Sequence, residues 1–347
     1  MSITRICAIK RIMSQIRNVT VLVDETTIPA SDPDFANLAK TPITEYHVIR
    51  ALRGLGHKVS VLGVTDNVPA LVNTLTEQSP DLVFNLTEQF GGDRRLDKNI
   101  AALLEILGIP FTGSGATGLM LCRDKRLCKQ LLSHYRIRVP GFVSLPLNQP
   151  IRAPKTLGYP LVVKPAFEDS SEGISNASLV AGEAALAERT RFVHERWEQP
   201  VIAEEYIEGR ELYVTILGNN KLVVYPIREC FFNYDGDEGP ALATYRVKWN
   251  REYREKWNIR FGFAELDRAM VRRIERICKK VYHVLQIRDY GRIDLRLTPD
   301  DKLVVLEANP NPDLAYGEDV AEAAGRGGIS HEKLIDRIVH LALSRYK

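Results

Sequence analysis

Cysteine is scarce, and its count leaves no full set of pairs. The 347 residues hold five, none in a CxxC spacing, with Cys122 and Cys128 the closest two. That excludes a disulfide framework or a zinc knuckle and fits a reducing, cytoplasmic compartment. No apolar run approaches the ~20 residues of a membrane helix, so no membrane partner is expected. An excess of one charge is missing too. Lys and Arg number 47 against 44 Asp and Glu, a net charge of +3. This is too small and too scattered to imply nucleic acid. There is no GxxxxGK[ST], no kinase-like HRD, no HExxH, no internal repeat and no low-complexity tract. What remains is an ordinary globular balance, 45% hydrophobic and 26% charged, in a chain long enough for two or three compact units.

The first seventeen residues carry Arg5, Lys10, Arg11 and Arg17 and no acid. A transit peptide has this composition. A frayed basic extension, or a start codon called too early with Met13 as the alternative, fits as well and is preferred.

From residue 18 the pattern alternates. Strand-like runs at 18–24, 57–64 and 81–86 are separated by helical spacing at 44–56, 71–78 and 97–108, the last stopped by Gly108. Such alternation predicts a parallel α/β sheet. Residues 113–118 form a lone GxGxxG. A dinucleotide fingerprint would need an acid at the end of a second strand about 20 residues on, and 136–140 offers none, so the stretch reads as a tight turn and helix start.

Further on, a helix is expected over 124–135, with Lys125 near its start, and a buried strand over 160–165, with Lys164 near its end. The polar loop 168–173 taken by itself reads as a surface turn, although its amides and hydroxyls could wrap a phosphate. Strands follow at 200–207, 211–217 and 221–226. Residues 231–254 are irregular, with Gly236, Gly239, Pro240 and Lys248; a loop this long is usually functional or disordered. Long helices are expected over 263–286 and 332–343.

Residues 288–315 hold two runs around the turn Thr298-Pro299-Asp300-Asp301. Ile293, Leu295 and Leu297 alternate with Arg292, Asp294 and Arg296. On the return run, period 2 puts Leu303, Val305, Glu307 and Asn309 on one face. Paired in simple register, Arg292, Asp294, Glu307 and Asn309 converge. Hard oxygen donors without His or Cys suit Mg²⁺, and an adjacent arginine can steady a developing oxyanion. An exposed hairpin with solvated charges would use the same residue types. Two prolines stiffening the exit favour the metal reading.

These residues, in this order, resemble the ATP-grasp superfamily and, within it, the D-alanine–D-alanine ligases. The similar stretches are VFNLTE at 83–88, LGIPFTGSG at 107–115, Lys125, VKP at 163–165 and SSEG at 170–173. They continue with EEYI at 204–207, Glu211, GRID at 291–294 and LEAN at 306–309. They span nearly the whole chain after residue 18. The resemblance implies an α/β fold, α+β in its C-terminal part: an ATP-grasp fold behind an N-terminal parallel α/β domain. It divides the chain into the basic extension 1–17, the N-terminal domain 18–121, a central subdomain 122–207 and a C-terminal subdomain 208–347 with the metal site.

The resemblance also implies roles. Lys125 and Lys164 hold ATP phosphates under the loop of Ser170, Ser171 and Gly173. Glu204 accepts from the adenine amino group, beside Glu205, and the backbone near Ile207 reads the ring. Glu211 binds the ribose, and Lys248 reaches the γ-phosphate. Asp294, Glu307 and Asn309 ligate two Mg²⁺ ions, for which Mn²⁺ could substitute, and Arg292 stabilises the oxyanion. The implied reaction is ATP-dependent carbon–nitrogen ligation of a small carboxylate and a small amine through an acyl phosphate, with residues 231–254 as the lid. A homodimer is compatible with it. Two substrate ends depart from the family. Residues 25–32 lack its Gly-rich, Glu- and Ser-bearing segment, and Pro312-Asp313 replaces its Pro-Gly. Substrates other than two D-alanines are therefore expected. The alternatives are a genuine D-alanine–D-alanine ligase, a kinase-type enzyme on the same fold and a non-catalytic nucleotide-binding scaffold.

Overall fold

A computed structural model describes residues 17–36, 43–152, 156–169, 171–232 and 242–346. The chain forms two compact units, one of residues 1–113 and 313–347 and the other of residues 114–312.

The first unit begins with β1 (Asn18–Asp24), α1 (Thr44–Gly54), β2 (Lys58–Val64), α2 (Val68–Gln78), β3 (Leu82–Asn85) and α3 (Asp97–Leu107). Its three strands are parallel in the order β2-β1-β3. The centre strand, β1, is buried along all but its first residue, as a strand covered on both faces must be. The expected α/β alternation is thus present, with α2 beginning three residues earlier than its apolar spacing predicts because Asn67 caps it by accepting from Ala70 N.

The second unit opens with two helices, α4 (Ala116–Arg123) and α5 (Lys125–His134). Asp124 caps α5, accepting from the amides of Arg126 and Leu127. Then come β4 (Phe142–Leu145), β5 (Leu161–Pro165), β6 (Leu179–Val180), α6 (Glu183–Trp197) and β7 (Val201–Glu205). These strands form an antiparallel sheet in the order β4-β7-β5-β6. The rest is β8 (Arg210–Leu217), β9 (Val223–Val224), β10 (Arg228–Phe232), α7 (Tyr245–Trp249), α8 (Arg251–Lys256), β11 (Ile259–Phe263), α9 (Arg268–Val284), β12 (Tyr290–Leu297) and β13 (Leu303–Asn309). Its sheet runs β11-β10-β8-β12-β13, with β9 on β8. Met270, Ile274, Cys278, Val281 and Tyr282 of α9 pack on Leu212, Val214, Ile293, Leu295 and Val305 of this sheet.

The chain then returns to the first unit in α10 (Asp319–Arg326) and α11 (His331–Ser344). The long helix expected over 263–286 is corrected by the structure: Phe263 ends β11, and the helix starts only at Arg268, where Asp267 accepts from Met270 N. Of the stretch read as irregular, residues 233–241 lie outside the described residues. The remainder is not irregular but closes β10 and forms α7 and α8.

Candidate active site

Arg292 pairs with Asn309 and Asp294 with Glu307 across β12 and β13. The register is not the simple one. It shifts after Asp294, so that Leu295 faces Val305 and Leu306 is an extra residue. Such a bulge switches the parity of the strand. Leu303 and Val305 therefore pack in the core together with Ala308, while Glu307 and Asn309 join Arg292 and Asp294 on the other face. The expectation that Leu303, Val305, Glu307 and Asn309 share one face fails. The convergence of the four polar residues stands because the bulge supplies it.

Arg292 grips Asp294 with two hydrogen bonds, Nε to Oδ1 at 2.7 Å and Nη2 to Oδ2 at 2.9 Å. Asn309 turns its amide nitrogen to Asp294 Oδ2 at 3.2 Å, which directs its amide oxygen away from that carboxylate. Burial raises the Asp294 pKa, and Arg292 only partly offsets it. Glu307 meets Lys125 Nζ at 3.3 Å. Burial would raise its pKa too, but Lys125, Lys248 and Lys164 outweigh it and hold it at about 2. Among the described residues no three Asp, Glu, His or Cys side chains group as a metal site. A cation here would depend on the Asn309 oxygen beside the two carboxylates. That all-oxygen set, with a buried carboxylate short of positive charge, fits a hard divalent ion.

Lys125 also donates to the Glu168 carbonyl. Lys248, on α7, lies 6.0 Å from the centre of the Tyr213 ring, and the Arg292 guanidinium lies 5.4 Å from the same ring. Glu211 is buried with both oxygens engaged. Tyr213 OH donates to one at 2.9 Å and Arg296 Nη2 to the other at 2.6 Å. Burial raises Glu211, and Arg296 and Lys248 more than reverse it.

Glu204 lies at the centre of a second cluster. Its side chain is 2% exposed; Lys164 Nζ donates to Oε2 at 3.0 Å and Lys129 Nζ lies 3.3 Å from Oε1. The Lys129 contact is an ion pair without hydrogen-bond alignment, so Oε1 is buried with no hydrogen-bond partner. Glu205, the next residue along β7, is exposed and accepts from Gly141 N at 3.2 Å. The structure does not bring it to Glu204. Ile207, half-buried, lies two residues past the end of β7.

In the polar loop, Ser170 lies outside the described residues. Ser171 Oγ donates to Ala243 O at 2.8 Å, and Tyr245 N donates to Ile174 O at 3.2 Å, so the loop is tied to the segment that carries Lys248. Gly173 has φ +73°, and a Cβ there would sit 2.5 Å from the Pro165 ring. Glycine is required on both counts. Arg189 of α6 donates to the Gly173 carbonyl at 2.6 Å.

Sequence reasoning missed Lys129, Arg189, Tyr213 and Arg296. Lys129 carried a signal: it stands one helical turn after Lys125 and so shares its face. Arg296 did too, continuing the Arg292, Asp294 alternation.

At the departing substrate end, in the first unit, Asp313 Oδ1 accepts from the Thr44 hydroxyl and from Ala315 N, the latter at 2.7 Å. Close by, Tyr316 N donates to His47 Nδ1 at 3.1 Å, and the Tyr316 ring stacks on His331 at 4.2 Å.

Comparison with known proteins gives the family. The family described as "D-ala D-ala ligase C-terminus" matches residues 137–340. An uncharacterized protein of Sinorhizobium fredii, y4sG, is 31% identical, over 86% of this chain and 87% of its own length. A D-alanine–D-alanine ligase of Cupriavidus necator is 31% identical, over 71% of this chain and 72% of its own. One of Aquifex aeolicus is 28% identical, over 84% and 92%. The structure of a Bacillus anthracis D-alanine–D-alanine ligase complexed with ATP superimposes with a TM-score of 0.70 at 20% identity, covering 95% of this chain and 98% of that one. With the family match spanning more than half its length, the chain belongs to the D-alanine–D-alanine ligase family, on the ATP-grasp fold.

Proposed function

We propose that the protein is an ATP-dependent carbon–nitrogen ligase that joins a small carboxylate to a small amine, with substrates other than two D-alanines. The observation that carries the nucleotide half is Glu204 Oε1, a buried carboxylate oxygen with no hydrogen-bond partner. A buried acceptor left unmade is costly, and an adenine amino group is the donor that would satisfy it. Lys125, Lys164 and Lys248 supply positive charge for phosphate oxygens, and Glu211 meets the ribose hydroxyls. Asp294, Glu307 and Asn309 would hold Mg²⁺, two ions in the reading preferred here, whose chemistry is to neutralise phosphate charge.

A free carboxylate is a poor acyl donor because its leaving group would be oxide. Its oxygen attacks the γ-phosphorus of ATP, the bond to ADP breaks, and an acyl phosphate forms. The amine nitrogen then attacks the acyl carbon, inorganic phosphate departs with the electron pair, and the nitrogen loses a proton. Arg292 would stabilise the tetrahedral oxyanion. Water would hydrolyse the intermediate and must be kept out, and residues 242–254, which carry Lys248, are the described part of the stretch expected to cover the site.

Two things support a different substrate pair. The family's Pro-Gly is Pro312-Asp313 here, and Asp313 accepts hydrogen bonds from the Thr44 hydroxyl and Ala315 N. Four described cysteines are free and buried, consistent with a cytoplasmic setting. Among the described residues no helix is long and apolar enough to cross a membrane. The domain limits inferred from sequence, a central part over 122–207 and a C-terminal part from 208, suit nucleotide held between β5–β7 and β8–β13.

Calorimetric titration with a non-hydrolysable ATP analogue tests the nucleotide half. The wild type binds it, and Lys164→Ala weakens it by about tenfold or more, the loss of a charge-assisted hydrogen bond. An unchanged dissociation constant removes Lys164 from the phosphate site.

A further inference from the structure

Two lysines share one buried carboxylate, and their surroundings differ. Lys129 is 3% exposed at its side chain and Lys164 is 13%. Lys129 Nζ also donates to the Leu306 carbonyl at 2.6 Å, so it is fixed to β13, next to Glu307, as well as to Glu204. Lys164 stands near the end of β5; its one hydrogen-bond partner among the described residues is Glu204 Oε2, and it acts on Glu307 and Glu211 only through space. We infer that the two divide the labour: Lys129 is the permanent counter-charge that positions Glu204 for the nucleobase, and Lys164 is an exchangeable lysine that leaves Glu204 for a phosphate oxygen when ATP binds.

The physical grounds are these. A carboxylate this deeply buried needs a cation that stays, since removing its partner leaves an uncompensated charge. A lysine held by a backbone carbonyl on a third element cannot swing without breaking that bond. A lysine with a single hydrogen bond and a more open flank can. The exchange leaves Glu204 facing Lys129, which the Leu306 carbonyl holds in place, even though burial lowers the Lys129 pKa. It also gives specificity. The free Oε1 accepts from the adenine 6-amino group, whereas guanine presents a carbonyl oxygen there and meets a like dipole. Lys129 is thus a positioning residue, acting on the base through Glu204.

This rests on the nucleotide site proposed above. The test is calorimetric binding of adenosine, guanosine and a non-hydrolysable ATP analogue to the wild type, Lys129→Met, Lys164→Met and Lys129→Met/Glu204→Gln. Lys164→Met should weaken the analogue by about tenfold or more and leave adenosine nearly unchanged. Lys129→Met should weaken both by a similar factor and narrow the preference for adenosine over guanosine. The double variant, confirmed as folded by circular dichroism at the assay temperature, should keep the narrowed preference, so a misfolded single variant does not decide the matter. Lys129→Met with wild-type adenosine affinity, a double variant with wild-type preference, or Lys164→Met losing adenosine as much as the analogue overturns the division of labour. A wild type that binds neither adenosine nor the analogue overturns the nucleotide site itself.

Discussion

Removing Arg296 should destabilise the protein through the carboxylate it leaves behind. Arg296 and Glu211 are 4% and 8% exposed at their side chains, 2.6 Å apart, and Arg296 donates as well to the Gly209 carbonyl at 2.9 Å. Breaking a pair this buried costs about 3–5 kcal/mol, because Glu211 keeps its charge and loses its solvent and its partner alike. At about 2–4 °C per kcal/mol for a unit of ~200 residues, Arg296→Met should melt roughly 10 °C below the wild type. The pH dependence has a definite sign. Burial raises the Glu211 pKa, but Arg296, Lys248 and the Tyr213 hydroxyl hold it below its ordinary 4.5. The pair therefore stabilises fully above that value and fades as pH falls through the lower folded pKa. In Arg296→Met burial is less opposed and the Glu211 pKa rises, so Glu211 is charged and uncompensated at pH 7–8 and takes up a proton as pH falls; the deficit should be widest at pH 7–8 and narrow toward pH 4. Arg296→Met/Glu211→Leu should recover most of the melting temperature and still bind ATP poorly. Thermal melts of the three proteins across pH measure all of this. A single variant that melts like the wild type, or a gap independent of pH, would refute the reasoning.

Asp294→Asn and Glu307→Gln should each abolish turnover at saturating Mg²⁺ while leaving a folded protein by circular dichroism; near-normal turnover by either contradicts the metal-site reading. At the amine end, a carboxylate ~4 Å from Asp313 costs about 1 kcal/mol in water and about 4 at an effective dielectric of 20. D-Alanine should therefore be a poor second substrate, and D-alaninamide or a basic amino acid a better one. Steady-state kinetics with the three amines decide it, and efficient dipeptide formation from D-alanine alone removes Asp313 from the specificity argument.

Strands whose side chains alternate or run continuously apolar were legible from the sequence: β1 starts and stops at the expected residues, and β2, β3 and β5 within one residue. Helices with a clean apolar stripe were legible too. The ones that were not have a reason. In α6 the buried face is Leu186, Arg189, Thr190 and Val193, so half of its stripe is polar and period 3.6 does not show in hydrophobicity. Arg189 is buried there because the Gly173 carbonyl needs a donor, which is a tertiary fact. The bulge at Leu306 is likewise invisible, since no proline or glycine marks it. Within the site, residue types and order were readable, but pair identities were not. The resemblance implied Lys164 for phosphate and Glu204 for adenine, whereas the structure pairs them with each other.

The measurement that bears most directly on the ligase reading is ADP release by the purified protein over a panel of amino acids and dipeptides, with and without a second amine. ADP and a new amide should appear together only when both a carboxylate and an amine are supplied. ADP formed at full rate from one substrate, with a phosphorylated product and no amide, would instead make the protein a kinase, and no ADP with any pair would leave it a nucleotide-binding scaffold.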